Sequence, residues 1–496
     1  MTYHKLFLIL LSFVIFISDQ LTAKSIPLTN DDNSIVQIKS TVQYPNFLQP
    51  WRFKNPETRR SYGVYVGDGL VLTLTQSLNF ATNIEINKSH SLKNYSASII
   101  KMDHDLGLAL LKVEDSDFSK GLNTVSFPTD NFLPAQGLVL DYKEYRNLGE
   151  KKVRSVKLDL DTYSNGYIEL PYIEIQSEEK LEGIGELIIE ESSRIPQGLL
   201  TSFKDSQNNG KMIPGFMIKQ FLECKMKESC TIFKGFRFRP LVEKSTREYY
   251  GVKKEDQGII IAEIYPSAIN EKNKLEVEDI ILEVAGYKID PKGYFDHPKY
   301  GKILISFLFH ANENIGKTKD IKLPIKILRN RKLMEFDFEL RTLNQNAIRI
   351  PFGSTRNTKP HYLILGGLVF LELSEHYLTE FGNQWRARVN KHLLYLNDYH
   401  HIAKTDDEGK ILILSQVLPL TGNQSYHSMH QVTLEKVNGK SIKSLIDLKE
   451  ILSKNTNDFI ILDFFDGSQV TFRSDEIQKL NEEALKTFKI PSANNF

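Results

Sequence analysis

Val71-Leu-Thr-Leu-Thr-Gln-Ser-Leu-Asn79 is a short apolar run that breaks at a glutamine, and about thirty residues on Asp105-Leu-Gly-Leu-Ala-Leu-Leu-Lys112 repeats the pattern behind an acidic turn. Similar runs surround them: Tyr62-Gly-Val-Tyr-Val66, Leu70 to Leu74, Ile84-Glu-Ile86, Ser96 to Ile100 and Leu106 to Val113. Turn residues separate them at short intervals, at Gly67-Asp-Gly69, at Asn87 and at Asp103 to Asp105. Many short strands with few helical stretches from about Ser34 to Leu222 predict an all-β barrel or sandwich.

The rest of the chain contains an internal repeat. Gly258-Ile-Ile-Ile-Ala-Glu-Ile-Tyr-Pro266 is followed, 20 residues after its proline, by Gly286 in Asp279-Ile-Ile-Leu-Glu-Val-Ala-Gly-Tyr-Lys-Ile289. Gly409-Lys-Ile-Leu-Ile-Leu-Ser-Gln-Val-Leu-Pro419 is followed, 20 residues after its proline, by Gly439 in Val432-Thr-Leu-Glu-Lys-Val-Asn-Gly-Lys-Ser-Ile442. Each copy ends in two strands around a turn, Ile325 to Leu340 with the turn at Arg329 to Arg331, and Phe459 to Phe472 with the turn at Asp466-Gly467. Two related small domains follow from one repeated unit. Between them Trp385 to His401 has helical periodicity, with Val389, Leu393, Leu394 and Leu396 apolar.

The D-I-I-L-x-V-x-G bend resembles the GDxIxxVNG signature of PDZ domains. Val71 to Asn79 resembles the ILTNNHVV stretch of HtrA/Deg serine proteases, and Asp105 to Lys112 their TDLALLK stretch. Ile413-Leu-Ser-Gln-Val-Leu418 and the closing Phe488-Lys-Ile-Pro491 resemble the branch of that family with two atypical PDZ domains. The resemblance implies a mostly β chain: a trypsin-like double β-barrel over 34–222, a first PDZ-like domain over 233–342, a second, divergent one over 357–475, and a tail over 476–496. It also implies a homo-oligomer, a trimer in many relatives.

Serine-protease chemistry needs a hydroxyl nucleophile, an imidazole to take its proton and a carboxylate to orient that imidazole. Gln76 stands at the histidine position, and an amide cannot act as a general base. Gly107 aligns with the acid, with Asp105 two residues away on the same strand face. His104, beside it, is a substitute base only if an unknown partner meets it. The serine of GNSGGP aligns with Pro196 when Gly198 is matched to its last glycine, and a one-residue shift puts Ile195 or Gln197 there. None of these carries a hydroxyl. Ser192 and Ser193 are near but lack the glycine-flanked turn that exposes a nucleophile. The expectation is a catalytically inactive protein; the alternative is an active endopeptidase with a non-standard triad.

What remains is peptide capture. A PDZ domain adds an extended peptide as a strand to a sheet edge and holds its end in a loop of backbone N–H groups. Lys234-Gly-Phe-Arg-Phe-Arg239 stands where the first unit's loop belongs. Gly235 permits close approach, Phe236 and Phe238 are candidate pocket walls, and Arg237 favours an anion. An ordinary strand entry with its aromatic residues in the core is the plainer alternative. The expected partners are polypeptide or C-terminal peptide clients.

Other classes are disfavoured. The 63 Lys and Arg balance 62 Asp and Glu, for a net charge of +1, which removes the basic excess of a nucleic-acid binder. His427-x-x-His430 and His400-His401 lack a third ligand at suitable spacing, and no cofactor or metal is expected. Cys224 and Cys230, the two cysteines, either close a small disulfide loop or stay free thiols. His4 and Lys5, the apolar Leu6 to Ile17 and the small Ala23 read as an export signal over 1–23. That run is short for a bilayer span of about 20 residues. A periplasmic or secreted protein with no span after signal removal is expected, with an uncleaved anchor helix as the alternative.

Overall fold

The computed structural model describes residues 33–89, 91–129, 135–141, 149–162, 168–225, 230–253, 257–265, 275–310, 321–340, 342, 347–351, 357–403, 405 and 408–496. The leader expected at 1–23 lies outside them.

The first seven strands are β1 (Ile35–Val42), β2 (Glu57–Gly67), β3 (Leu70–Leu74), β4 (Ala81–Lys88), β5 (Asn94–Ser96), β6 (Ser98–Asp103) and β7 (Leu108–Lys112). They pair antiparallel in the order β5-β4-β1-β2-β3-β7-β6. Gly63 is required where β2 passes its neighbours, because a Cβ there would lie 2.5 Å from the Val71 side chain and 2.7 Å from that of Ile38.

The next six strands are β8 (Ala135–Asp141), β9 (Gly149–Thr162), β10 (Glu169–Gln176), β11 (Leu187–Glu190), β12 (Pro196–Lys204) and β13 (Asn209–Pro214), and they close into a barrel. Helix α1 (Gly215–Glu223) packs on it, and a disulfide joins Cys224 to Cys230 with Cα atoms 5.6 Å apart. That loop is held to the first sheet. Lys101 donates to the carbonyls of Phe221 and Cys224, and Asp103 accepts from the Cys230 N–H at 3.2 Å. Burial lowers the Lys101 pKa, and Asp103 partly opposes this.

The first repeat comprises β14 (Phe236–Pro240), α2 (Lys244–Tyr250), β15 (Ile259–Ile264), β16 (Ile280–Val284), β17 (Tyr287–Lys288), the hairpin β18 (Tyr294–His297) and β19 (Gly301–Leu304), a 3-10 turn at Ile305–Phe309, and β20 (Ile321–Arg329) with β21 (Lys332–Leu340). Its sheet runs β14-β15-β16-β20-β21. At the expected turn Asn330 and Arg331 both have positive φ, as a two-residue hairpin requires.

The second repeat comprises β22 (Tyr362–Leu365), β23 (Leu368–Glu372), α3 (Glu375–Thr379), α4 (Trp385–Arg388), α5 (Lys391–Tyr399), β24 (Leu412–Val417), β25 (Val432–Val437), β26 (Lys440–Ser441), α6 (Leu445–Ser453), β27 (Phe459–Phe464), β28 (Gln469–Arg473) and α7 (Ile477–Phe488). The sheet order is β22-β23-β24-β25-β27-β28. Residues 476–496, expected as a tail, are packed into this unit. Leu480, Ala484 and Ile490 are buried in its core, because α7 repeats apolar residues on one face.

One apolar core continues from the first sheet through the closed barrel into the first repeat. The second repeat has its own core, and the β1–β2 connection reaches into it. Phe47 is 4% exposed there and its ring lies tilted against His376 with centroids 4.9 Å apart, Lys54 pairs with Glu380 at 2.8 Å, and the Gln416 amide donates to the Leu48 carbonyl at 2.7 Å. Among the described residues no helix is long and apolar enough to cross a membrane.

Candidate functional site

Gln76 sits in a 3-10 turn at Thr75–Ser77, immediately after β3. Its amide Nε2 donates to the Gly183 carbonyl at 3.1 Å, tying the first sheet to the barrel. Thr75 N–H donates to the Gly107 carbonyl at 2.9 Å, so the segments expected to carry base and acid are neighbours. Gly107 has φ +67° and offers no side chain; Asp105 is buried.

The nucleophile region is a tight loop between β11 and β12. Pro196 opens β12 and lacks the N–H that this position would contribute to an oxyanion hole. Arg194 aligns with the first glycine of GNSGGP and has left-handed φ of +56°. Its backbone N–H, the other donor position, is spent on the Glu190 carbonyl at 2.8 Å, while Glu190 N–H donates to Ile195 O at 2.9 Å. Arg194 was not singled out from sequence, although the same alignment that reached Pro196 passes through it. Ser192 Oγ donates to the Glu190 carboxylate at 2.7 Å, and Ser193 Oγ accepts from Ile195 N–H at 3.3 Å. Burial raises the Glu190 pKa, but the hydrogen bonds from Ser193 and Ser192 outweigh it and hold the carboxyl below its usual range. Gly198 owes its identity to packing: a Cβ would meet the Ile213 carbonyl at 2.1 Å.

The expected peptide-binding segment lies on a different cavity. A space of about 460 Å³ is lined by Glu169 of β10, by Lys234, Phe236, Ser306 and His310 of the first repeat, and by Asp398 and His401 from the second. β14 stands last in its sheet, hydrogen-bonded to β15 on one side. Gly235 precedes it with φ +76°. Phe236 is not a groove wall in the open sense: it is 1% exposed and packs against Phe309 and Phe338 at 5.9 and 6.1 Å. Phe238 is partly buried, under the Lys234 ammonium, and Arg237 is exposed and paired with Glu263 at 3.3 Å.

Lys234 already holds an anion of the chain's own. Its Nζ meets Glu169 at 2.6 Å and Ser306 Oγ at 3.0 Å, and Ser306 Oγ donates to the same carboxylate at 2.7 Å. Burial would raise the Glu169 pKa, but Lys234 and Ser306 outweigh it and hold the carboxyl below its usual range. His310, next to this cluster, has a buried Nδ1 without a hydrogen-bond partner, and burial with the Lys234 charge pushes its pKa down to about 3. Burial, reinforced by Glu263, pushes the Tyr265 phenol up to about 12.

Among the described residues no group of three His, Cys, Asp or Glu is placed to hold a metal ion. His427 Nε2 lies 2.7 Å from Asn423 Oδ1, and His400 Nε2 is 3.1 Å from the Tyr395 hydroxyl. These are structural hydrogen bonds.

Comparison with known proteins places the chain. Residues 350–495 match a family model described as PDZ domain. "Putative protease Do-like 11, mitochondrial" of Arabidopsis thaliana is 24% identical over 468 residues, covering 93% of this chain and 75% of the relative. "Protease Do-like 2, chloroplastic" of the same plant is 22% identical over 470 residues, covering 93% and 74%. Over most of its length the chain is similar to HtrA/Deg-type serine proteases, and its C-terminal part to PDZ domains. A solved structure, "HtrA-type protease AlgW with tripeptide", is 15% identical with a TM-score of 0.46, over 63% of this chain and 94% of that one. In this HtrA/Deg homologue, then, a protease-like fold precedes the unit that matches a PDZ domain.

Proposed function

We propose that this chain is an exported HtrA/Deg homologue that does not cleave peptide bonds and instead holds extended polypeptides, as a scaffold, chaperone or regulator of an active partner in protein quality control. One observation carries inactivity: Gln76, at the position of the general base, has its amide committed to the Gly183 carbonyl. An amide has no proton-accepting lone pair of useful basicity. The blocked oxyanion donors at Arg194 and Pro196 point the same way.

Peptide capture is assigned to the first PDZ unit. A β14 edge that no strand among the described residues covers, a left-handed glycine before it and a cation at Lys234 are the parts from which strand addition is built. The client is an extended segment with an anionic group, because Lys234 and Ser306 already bind the Glu169 carboxylate. Export follows from the 1–23 segment, and trimerisation is what family membership implies.

Turnover of casein and of fluorogenic peptides by the purified mature chain tests inactivity, with Ser192→Ala and Ser193→Ala as controls. No hydrolysis above buffer is expected. Hydrolysis abolished by either alanine would sink this reading. Fluorescence anisotropy with labelled C-terminal peptides tests capture, and Lys234→Ala should weaken it about tenfold, the worth of one charge-assisted hydrogen bond.

A further inference from the structure

β11 (Leu187–Glu190) has a turn at each end. The loop after it carries Arg194 and Pro196. The turn before it, Glu182-Gly-Ile-Gly-Glu186, is the one that Gln76 touches, through the Gly183 carbonyl at 3.1 Å. Tyr62 of β2 reaches the same turn, donating its N–H to the Ile184 carbonyl at 3.0 Å. Residues 182–186 therefore lie where the first sheet meets the closed barrel.

Two glycines shape this turn. Gly183 and Gly185 have left-handed φ of +72° and +107°. A Cβ at Gly183 would meet the Ser202 backbone at 2.6 Å, and one at Gly185 the Tyr62 carbonyl at 2.8 Å. A left-handed residue within a tight turn brings successive backbone N–H groups to one side, and such a concave set of donors is an anion site.

The chain itself occupies that site. Glu186 Oε1 accepts from Glu182 N–H at 2.8 Å and from Gly183 N–H at 3.0 Å, and Oε2 accepts from Ile184 N–H at 2.7 Å. The residue is 3% exposed. Burial raises its pKa, and the backbone N–H groups, its own included, oppose the rise. Among the described residues no cation pairs with it, so backbone donors alone hold its charge out of water. The oxyanion hole of a serine protease joins the N–H of the attacking residue to the N–H two residues before it. Glu186 and Ile184 stand in that relation, beside Gln76.

We infer that residues 182–186 form an anion hole for a carboxylate or a carbonyl oxygen, and that the Glu186 side chain is its built-in plug. Emptied, the hole takes a small carboxylate. Filled, it denies a bound peptide any polarising N–H donor at the place that Gln76 reaches. The hole stands whichever end of β11 an attacking group would use, and only its consequence for cleavage rests on the inactivity proposed above.

Chemical rescue on the full chain tests this. Glu186→Ala empties the hole, and hydrogen exchange at 182–184, read by mass spectrometry, should become roughly tenfold faster than in the parent. Formate at about 100 mM, but not chloride at the same concentration, should slow that exchange again. It should also raise the variant's melting temperature by about 3 °C, the shift expected of a ligand that binds at about 10 mM. The parent and Glu186→Gln should not respond, because their holes are filled. Loss of stability in Glu186→Ala with no return in formate would overturn the inference, and so would an equal rise in the parent, since the anion would then bind elsewhere. Should Glu186→Ala not fold, Glu186→Gln decides. Its amide keeps the oxygen that serves Glu182 and Gly183 and turns an NH₂ to Ile184, so exchange at Ile184 alone should quicken roughly tenfold. Exchange there equal to the parent's would overturn the inference. Casein hydrolysis by Glu186→Ala that the parent lacks would uphold the plug while refuting the inactivity assigned to Gln76.

Discussion

If the proposed inactivity holds, placing an imidazole at residue 76 and a hydroxyl at residue 196 should not by itself confer proteolysis. In the double variant Gln76→His, Pro196→Ser a hydroxyl and an imidazole return, and with them one backbone N–H. Two defects remain. The acid position is Gly107, and loss of the orienting carboxylate costs about 10⁴ in turnover in a serine protease. The Arg194 N–H stays on the Glu190 carbonyl, and loss of one oxyanion donor costs about 10²–10³. Taken as independent, the two amount to about 10⁶–10⁷, an upper bound because such effects are not additive. The variant should therefore hydrolyse a fluorogenic peptide no faster than its parent within the detection limit. Its fold should survive, since losing the hydrogen bond from Gln76 to Gly183 costs about 1 kcal/mol and shifts the melting temperature by a few degrees at most. Adding Gly107→Asp and Arg194→Gly attacks the two remaining defects and is the background in which weak turnover should first appear. Hydrolysis by the double variant within about a hundredfold of an active family member would refute the reasoning, because a working acid and oxyanion hole would then have to exist.

Three further outcomes are expected. His310 and His376 have pKa values pushed by burial to about 3 and about 4, below their unfolded values, so both are neutral in the folded protein near neutral pH. The unfolded chain binds more protons below about pH 6.5, so their contribution is full above that pH and falls as pH drops toward 4, by up to about 1.4 kcal/mol per pH unit for each histidine; thermal melts of the parent against His310→Phe check this. Asp279, 1% exposed and bound twice by the Arg329 guanidinium at 2.6 Å, should cost about 3 kcal/mol when changed to Ala, read as a fall in the denaturant midpoint. Phe47→Ala, which empties a site in the second unit's core, should cost about 3 kcal/mol and raise protease sensitivity around 44–54.

Much of the architecture was legible because it is written in local periodicity. Alternation over 35–42 and 108–112, the repeated V-x-G bends and the Asn330-Arg331 turn each follow from residues within a few positions of one another. Gln76 and Pro196 drew notice for the same reason, as departures from a short pattern. Residues 476–496 read as a tail because one amphipathic helix does not say what its apolar face meets. Phe236 read as a pocket wall because an aromatic residue beside a glycine fits a groove and a core equally well.

By itself, then, the amino-acid order determined the succession of β units and put a glutamine at residue 76, where the resemblance implies a histidine. Tertiary structure alone decided that Glu169, 65 residues before Lys234, occupies its ammonium, that the Glu190 carbonyl consumes the Arg194 N–H, and that residues 493–495 pair with β22. A hydrogen-bond donor or a strand edge is the same in any sequence. Whether it is free is settled by what the fold brings beside it, and those partners come from distant parts of the chain.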